Sequence, residues 1–199
     1  MLHPSEQHAL ICPTFHHFGV ITAHLEEMLD WYAKVLGMTA VQASHGLVFL
    51  SNDRAHHRLA VLSLPGTRDT VAPYPHAKIQ HVAFEYATID DLLTSWERLK
   101  EWGIEPVLAA DHGPTTAFYY QDPDGNSIEV FVDNFGDWDA SSEYMRTSPD
   151  FQRNPMGAFV DPAQMREAHK AGATAAELHR RAKAGEFPPA RPMNPQILL

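Results

Sequence analysis

Residues 17–29 read HFGVITAHLEEML, and residues 81–93, which lie 64 positions further along the chain, read HVAFEYATIDDLL. Each stretch begins with a histidine and an apolar run, and then has two consecutive acids followed by two apolar residues. Acidic side chains are favoured in the first turn of a helix, where the helix dipole stabilises negative charge. The two stretches therefore predict an internal repeat in which a strand is followed by a helix.

Apolar residues continue behind the acids at helical spacing in both copies, up to Gly37 in the first and Gly103 in the second. Three short apolar runs then follow each helix, at 38–43, 46–51 and 57–63 in the first copy and at 104–109, 115–121 and 127–133 in the second. Each copy is therefore predicted to be a βαβββ module, and the fold class to be α+β.

Four segments follow from this reading. The first module takes residues 1–63 and the second takes residues 78–134, while residues 64–77, with three prolines, form a linker. Residues 135–199 form a C-terminal extension, in which 163–183 are rich in Ala, Glu and Arg and predict one or two surface helices.

Charge and cysteine content exclude several classes of function. The 199 residues include 15 Lys and Arg against 25 Asp and Glu, a net charge of −10, which disfavours binding to nucleic acid. No apolar run approaches the roughly 20 residues that span a bilayer, and the N-terminal stretch does not resemble a secretion signal. Cys12 is the single cysteine, so no internal disulfide or thiolate cluster can form, and we expect a cytoplasmic protein.

Two histidines and one acid are candidate metal ligands. His17 and His81 hold equivalent positions in the two copies, so a pseudo-twofold axis would direct both side chains to one place. Glu129 lies in an apolar strand after the turn DPDGN, on the same face as Phe131, where an unpaired carboxylate is costly. Two histidines and a carboxylate suit Fe(II), and these ligand types also fit Zn²⁺ or Mn²⁺. Alternatively, Glu129 pairs with Lys78 or Arg58.

The sequence resembles the vicinal oxygen chelate superfamily, and within it the type I extradiol ring-cleaving dioxygenases. The resemblance covers residues 14–133 and is carried by the paired modules, by HHFGVIT at the start, by IQHVAFEYATIDDLL and by YYQDPDGNSIEVF. It implies an Fe(II) ion held by His17, His81 and Glu129, and a catechol-type substrate cleaved next to the diol with both atoms of O₂ entering the product.

The number of ligands distinguishes classes within this superfamily. Glyoxalase I has a fourth ligand, an acid at the end of the first module. Subtracting the repeat offset from Glu129 gives position 65, and residues 60–66 read AVLSLPG, without an acid. We therefore expect a three-ligand site, as in the dioxygenases.

The resemblance also implies three catalytic residues. His57 would handle protons beside the bound oxygen, with His56 as the competing assignment. His112, in a His-Gly pair, and Tyr119 would hydrogen-bond the substrate, with Tyr120 on the opposite face of the strand. Phe15, Val20, Phe84, Phe118 and Phe131 are available as apolar walls.

Two other functions remain open, a glyoxalase-like lyase or isomerase on the same scaffold and a non-catalytic binder of small molecules. We also expect a homo-oligomer. Residues 135–160 carry apolar side chains that must pack on the outer face of their own sheet, over the metal pocket as a lid, or against a partner subunit; these are Phe135, Trp138, Tyr144, Met145, Phe151, Met156 and Phe159.

Overall fold

The computed structural model describes residues 14–69 and 79–194. The first part contains β1 (Phe18–Ile21), α1 (Leu25–Leu36), β2 (Thr39–Ser44), β3 (Leu47–Ser51) and β4 (Leu59–Leu62). The second contains β5 (Val82–Glu85), α2 (Ile89–Glu101), β6 (Leu108–Asp111), β7 (Thr115–Gln121) and β8 (Ser127–Asp133). The predicted α+β fold with two βαβββ units is therefore confirmed.

Both units have the same sheet topology. The first sheet has the strand order β1-β4-β3-β2, and the second has β5-β8-β7-β6 with one further strand at its edge. In each sheet the first strand of the unit pairs in parallel with the last, and the other pairs are antiparallel. The two opening histidines, His17 and His81, therefore stand directly before equivalent strands.

Both helices begin and end where the sequence signals predict. The Thr88 side chain accepts a hydrogen bond from the backbone N–H of Asp91 at the start of α2, which is a normal helix cap. Gly37 follows α1 with a φ of 64°, a conformation that glycine adopts without a steric penalty. Buried Met28, Tyr32, Leu92 and Leu93 on these helices pack in one core with the sheet residues that face the helices.

One strand differs from its prediction. The apolar run at 104–109 predicts a strand there, whereas β6 spans Leu108–Asp111. Pro106 has no N–H to donate, so the ladder to β7 begins after it, at the bond from Val107 N–H to the Tyr119 carbonyl.

The pairing register corrects the position equivalent to Glu129. Gly19 pairs with Ala60 in the first sheet, and Ala83, which lies 64 positions after Gly19, pairs with Glu129 in the second. The counterpart of Glu129 is therefore Ala60 and not residue 65. The last strand of the second unit is displaced by five residues from the position that the 64-residue offset predicts. The expected absence of an acid at this place still holds, since Ala60 carries no carboxylate.

The C-terminal extension packs on the second sheet. It contains α3 (Trp138–Thr147), α4 (Pro149–Arg153), β9 (Ala158–Phe159), α5 (Pro162–Lys170) and α6 (Ala175–Lys183), and β9 pairs antiparallel with β6. The predicted surface helices are α5 and α6, but Met165 and Leu178 on them are buried in the main core. The extension is thus part of the fold and not an appendage.

Several expectations fall outside the described residues or stay predictions. Cys12, Lys78 and most of the linker lie outside the described ranges. The segment boundaries at 63, 77 and 134 remain predictions. Among the helices of the described residues, none combines the length and the apolar composition needed to cross a membrane.

Candidate metal centre and substrate cavity

A cavity of about 850 Å³ lies on the inner face of the second sheet. Its floor includes His81 before β5, Tyr119 on β7, and Glu129 and Phe131 on β8. Strand alternation explains this set, because Ile128 and Val130 on β8 face the core while Glu129 and Phe131 face the cavity. The volume is that of a small-molecule site.

His81 and Glu129 form a pair of candidate ligand atoms. His81 Nε2 lies 2.9 Å from Glu129 Oε2, and the Glu129 side chain is only 10 % exposed. His81 Nδ1 contacts the Gln80 side chain, which orients the ring. A histidine nitrogen beside a buried carboxylate is favourable with a proton or a metal cation between the two groups, and Gln80 is the kind of orienting partner that metal-binding histidines have.

Tyr119 and His112 extend this pair into a hydrogen-bonded chain. The Tyr119 hydroxyl lies 3.0 Å from Glu129 Oε1 and 3.0 Å from His112 Nε2. His112 Nδ1 lies 2.9 Å from the backbone carbonyl of Met156, to which it donates. Burial, and then the charge of Glu129, raises the pKa of the Tyr119 hydroxyl, so this group stays protonated and remains a hydrogen-bond donor.

The Tyr119 hydroxyl lies between two hydrogen-bond acceptors. The Tyr119 hydroxyl has a single hydrogen, which it donates either to Glu129 or to His112. Both contacts are satisfied together only if His112 Nε2 or Glu129 Oε1 carries a proton of its own. The arrangement can therefore deliver a proton to, or take one from, a ligand bound beside Tyr119.

His17 and His57 lie in a second group of histidines. The ring centroids of His17 and His57 are 4.2 Å apart, and the His57 ring also contacts Phe49 at 4.7 Å. Partial loss of hydration, followed by the charges of neighbouring histidines, lowers the pKa of His57. Neither His17 nor His57 lines the cavity.

The predicted ligand triad is therefore brought together in part. Within residues 14–69 and 79–194, two groups of three potential ligands have all their ligand atoms within 4.8 Å of one another; they are His16, His17 and His57, and His24, Asp69 and Asp124. The set of His17, His81 and Glu129 is not one of them. The alternative pairing of Glu129 with Arg58 is not adopted either, because Arg58 binds Asp53 at 2.7 Å.

The extension forms the cover of the cavity. Its contribution to the lining consists of Trp138, Ser141, Ser142, Met145, Phe151, Pro155 and Met156. Two glycines permit this close approach: a Cβ on Gly113 would lie 2.7 Å from the Tyr144 ring, and one on Gly157 would lie 1.9 Å from the Asp111 carbonyl oxygen. Both have positive φ, which also favours glycine. The lining supports the lid arrangement for residues 135–160, while Trp138, Met145 and Met156 stay 71 %, 47 % and 40 % exposed, so packing against a partner subunit remains a prediction.

Some of the site was not anticipated from the sequence. Gln80 stands next to a predicted ligand and could have been found from that position alone. Asp111 is fully buried and binds His179 Nδ1 at 2.8 Å, which ties α6 to β6, the strand that ends just before His112, and no sequence pattern connects these two residues. Of the five expected apolar walls only Phe131 lines the cavity; Val20, Phe84 and Phe118 pack in the core, and Phe15 is 73 % exposed.

Comparisons with known proteins agree with this architecture. Residues 14–130 match the model of the Glyoxalase/Bleomycin resistance protein/Dioxygenase superfamily. Biphenyl-2,3-diol 1,2-dioxygenase 2 from Rhodococcus globerulus is 40% identical over 94% of this chain and 97% of its own length. Biphenyl-2,3-diol 1,2-dioxygenase 3 from the same organism is 36% identical over 87% of this chain and 91% of its own. A manganese-dependent 2,3-dihydroxybiphenyl 1,2-dioxygenase from Geobacillus genomosp. 3 is 28% identical over 60% of this chain and 36% of its own length.

Proposed function

The chain belongs to the glyoxalase/bleomycin resistance protein/dioxygenase superfamily, and on that premise we propose that it is an extradiol ring-cleaving dioxygenase. It acts on a catechol-type substrate and inserts both atoms of O₂ next to the diol. The observation that carries this proposal is the cavity of about 850 Å³ in which His81, Glu129, Tyr119 and His112 form one hydrogen-bonded chain. The two relatives named as biphenyl-2,3-diol dioxygenases support it.

We propose Fe(II) as the metal, held by His17, His81 and Glu129. The donor types fit, since imidazole nitrogen and carboxylate oxygen in a two-to-one ratio suit a non-haem iron that keeps open positions. The absence of an acid at Ala60 supports three ligands over four. Binding by all three requires the His17 imidazole to move away from His16 and His57 toward His81. Mn²⁺ is the second candidate, because one relative is named as manganese-dependent.

The bound metal would bring the diol and O₂ together and would lower the pKa of a coordinated hydroxyl. Side chains of the protein carry out the proton transfers. Tyr119, which stays protonated, donates a hydrogen bond to a substrate oxygen, and His112 behind it supplies or takes up the proton that Tyr119 passes on. The Met156 carbonyl holds His112 in the orientation that directs Nε2 to Tyr119.

His57 is proposed as the second acid–base group. Its pKa is lowered, so the ring is neutral near pH 7. His57 does not line the cavity, so it would accept the proton of a catechol hydroxyl only after its ring turns toward the bound substrate. His56 remains the competing residue, because its Nδ1 lies 2.7 Å from His57 Nδ1 and its ring centroid 4.5 Å from that of His57.

The cover restricts the substrate. Met145, Phe151 and Met156 place apolar surface opposite the polar side chains of the site, so a catechol with an apolar substituent binds with its ring system between them and Phe131. We further propose that the protein acts in the cytoplasm and as a homo-oligomer.

The test is anaerobic reconstitution of the metal-free protein with Fe(II), and in parallel with Mn²⁺ and Zn²⁺, followed by addition of O₂ and a panel of catechols. We expect a yellow ring-opened product with one O₂ consumed per molecule, for phenyl-substituted catechols above all. Conversion of a thiol adduct of an α-ketoaldehyde instead would establish the lyase or isomerase alternative. Tight binding of catechols with no turnover under any metal would establish the non-catalytic binder.

A further inference from the structure

Four histidines meet at one edge of the first sheet. His16 and His17 immediately precede β1, and His56 and His57 stand just before β4. The two strands pair in parallel, and the backbone N–H of Phe18 donates to the carbonyl of Arg58, so the two His-His pairs start side by side. The ring centroids are 4.6 Å apart for His16 and His56 and 4.2 Å apart for His17 and His57.

The nitrogens of this cluster face one another. The ligand atoms of His16, His17 and His57 all lie within 4.8 Å of one another, and His16 Nδ1 is 3.0 Å from His17 Nδ1. A neutral imidazole has one donor nitrogen and one acceptor nitrogen, so a group of rings with converging nitrogens leaves some lone pairs opposed. A cation between the rings removes that repulsion, and it does so without the charge build-up that several imidazolium rings would produce.

The surroundings select the type of cation. The group of three contains no carboxylate, and the charge of Arg58 is already neutralised by Asp53 at 2.7 Å. Three imidazoles without an oxygen ligand disfavour Mg²⁺ and Ca²⁺ and suit Zn²⁺, which is often bound by three histidines with one position open. Nitrogen sites also bind Zn²⁺ more tightly than Fe²⁺ or Mn²⁺.

We propose that His16, His17 and His57 form a second metal site, specific for Zn²⁺ and related late transition metals, on the first sheet. His17 is shared with the proposed iron site, and one imidazole cannot serve both. Zn²⁺ in the three-histidine site therefore holds His17 away from His81 and Glu129 and inhibits the enzyme. The binding of zinc stands alone, whereas the inhibition rests on the proposed function.

The binding is tested by titrating the metal-free, full-length protein with Zn²⁺ against a chromophoric chelator, and with Co²⁺ to read the ligand field from its visible spectrum. Glu129→Gln, which disables the other centre, should keep one equivalent of zinc. His16→Gln should weaken that equivalent at least tenfold and change the Co²⁺ spectrum. His45→Asn is the control, because His45 is exposed in the β2–β3 turn at a φ of 50°, which asparagine tolerates. Wild-type affinity in His16→Gln, or loss of zinc in Glu129→Gln, overturns the site.

The inhibition is tested with the iron-loaded enzyme. Wild type should lose activity as Zn²⁺ is added, and His16→Gln should keep its basal turnover while needing at least tenfold more Zn²⁺ for the same loss. Equal sensitivity of the two proteins would refute competition for His17. If no catechol is cleaved by either protein, the proposed function fails, while the zinc and cobalt titrations still decide whether the site exists.

Discussion

The two sheets have the same topology but opposite exposure at one pair of equivalent strands. The second strand of the first unit, β2, is exposed along its whole length, whereas its counterpart β6 is buried along its whole length. The other places compared are alike, since β1 and β5 have the same alternating burial and the equivalent residues Ala60 and Glu129 are both buried. The difference arises from the extension, which pairs β9 with β6 and places α3 and α4 over the second sheet alone.

The repeat thus supplies two similar half-sites, and the extension makes them unequal. The covered half has a carboxylate, a protonated tyrosine and a cavity, so it can bind an apolar ligand and hold a proton in a fixed place. The open half has a cluster of histidines near the surface and no acid at Ala60. Substitutions in the two halves should therefore have different effects.

Glu129→Ala should have the largest effect, because it removes the one carboxylate of the proposed centre and leaves His81 without its partner. We expect metal retention and turnover to fall below detection while the fold persists, measured by metal analysis after gel filtration and by O₂ uptake. Glu85→Ala is the matched control, since Glu85, on the neighbouring strand β5, lies on the same face of the sheet as Glu129 but binds Trp138 at 3.3 Å. A Glu129→Ala protein that keeps stoichiometric iron and turns over would remove Glu129 from the centre.

Asp111→Ala tests how firmly the extension is attached to the second sheet. The change removes the buried carboxylate that binds His179 and ends the contacts of Thr116 and Asn134 with it, while those two residues keep their hydrogen bond to each other. Breaking a buried pair of this kind costs about 3 kcal/mol. Urea denaturation should show that loss, with Asp139→Ala on the exposed side of α3 unchanged. Wild-type stability of the Asp111→Ala protein would mean that other contacts hold the extension in place.

His57→Phe tests whether the open half contributes chemistry. Iron should be retained while turnover falls about 10²-fold, the usual contribution of an acid–base group and equivalent to about 2.7 kcal/mol. His56→Phe serves as the neighbour control. Loss of iron in His57→Phe would make His57 a ligand, and a drop in turnover only in His56→Phe would transfer the role to that residue.

Phe151→Ala should have the smallest effect and tests the cover alone. Removing this half-buried ring from the cavity wall should raise KM for a phenyl-substituted catechol about tenfold, equivalent to about 1.4 kcal/mol, and change KM for unsubstituted catechol little. Phe135→Ala is the control, because Phe135 stacks on Tyr144 and does not line the cavity. An equal change for both substrates would show that Phe151 acts on stability and not on selection.

Local patterns predicted much of the architecture and part of the site. The helix ends at Gly37 and Gly103 and the opposite faces of Tyr119 and Tyr120 follow from periodicity, because the side chains of a strand alternate whatever the sheet packs against. The start of β6 was missed because the run at 104–109 contains Pro106, which has no N–H to donate to the ladder with β7. The equivalent of Glu129 was missed because an offset measured at the first strand does not apply after loops of unequal length.

The two βαβββ units, the strand alternation that turns Glu129 away from the core and the repeated histidines can all be predicted from the sequence. They depend on spacing along the chain, and backbone geometry converts spacing into direction. Three contacts could be found only from the folded molecule: Asp111 binds His179, the Met156 carbonyl orients His112, and His17 lies with His16 and His57. Those contacts join segments that are far apart in the chain or depend on which rotamer a ring adopts. The packing of the whole molecule selects them, and a local sequence pattern does not contain that information.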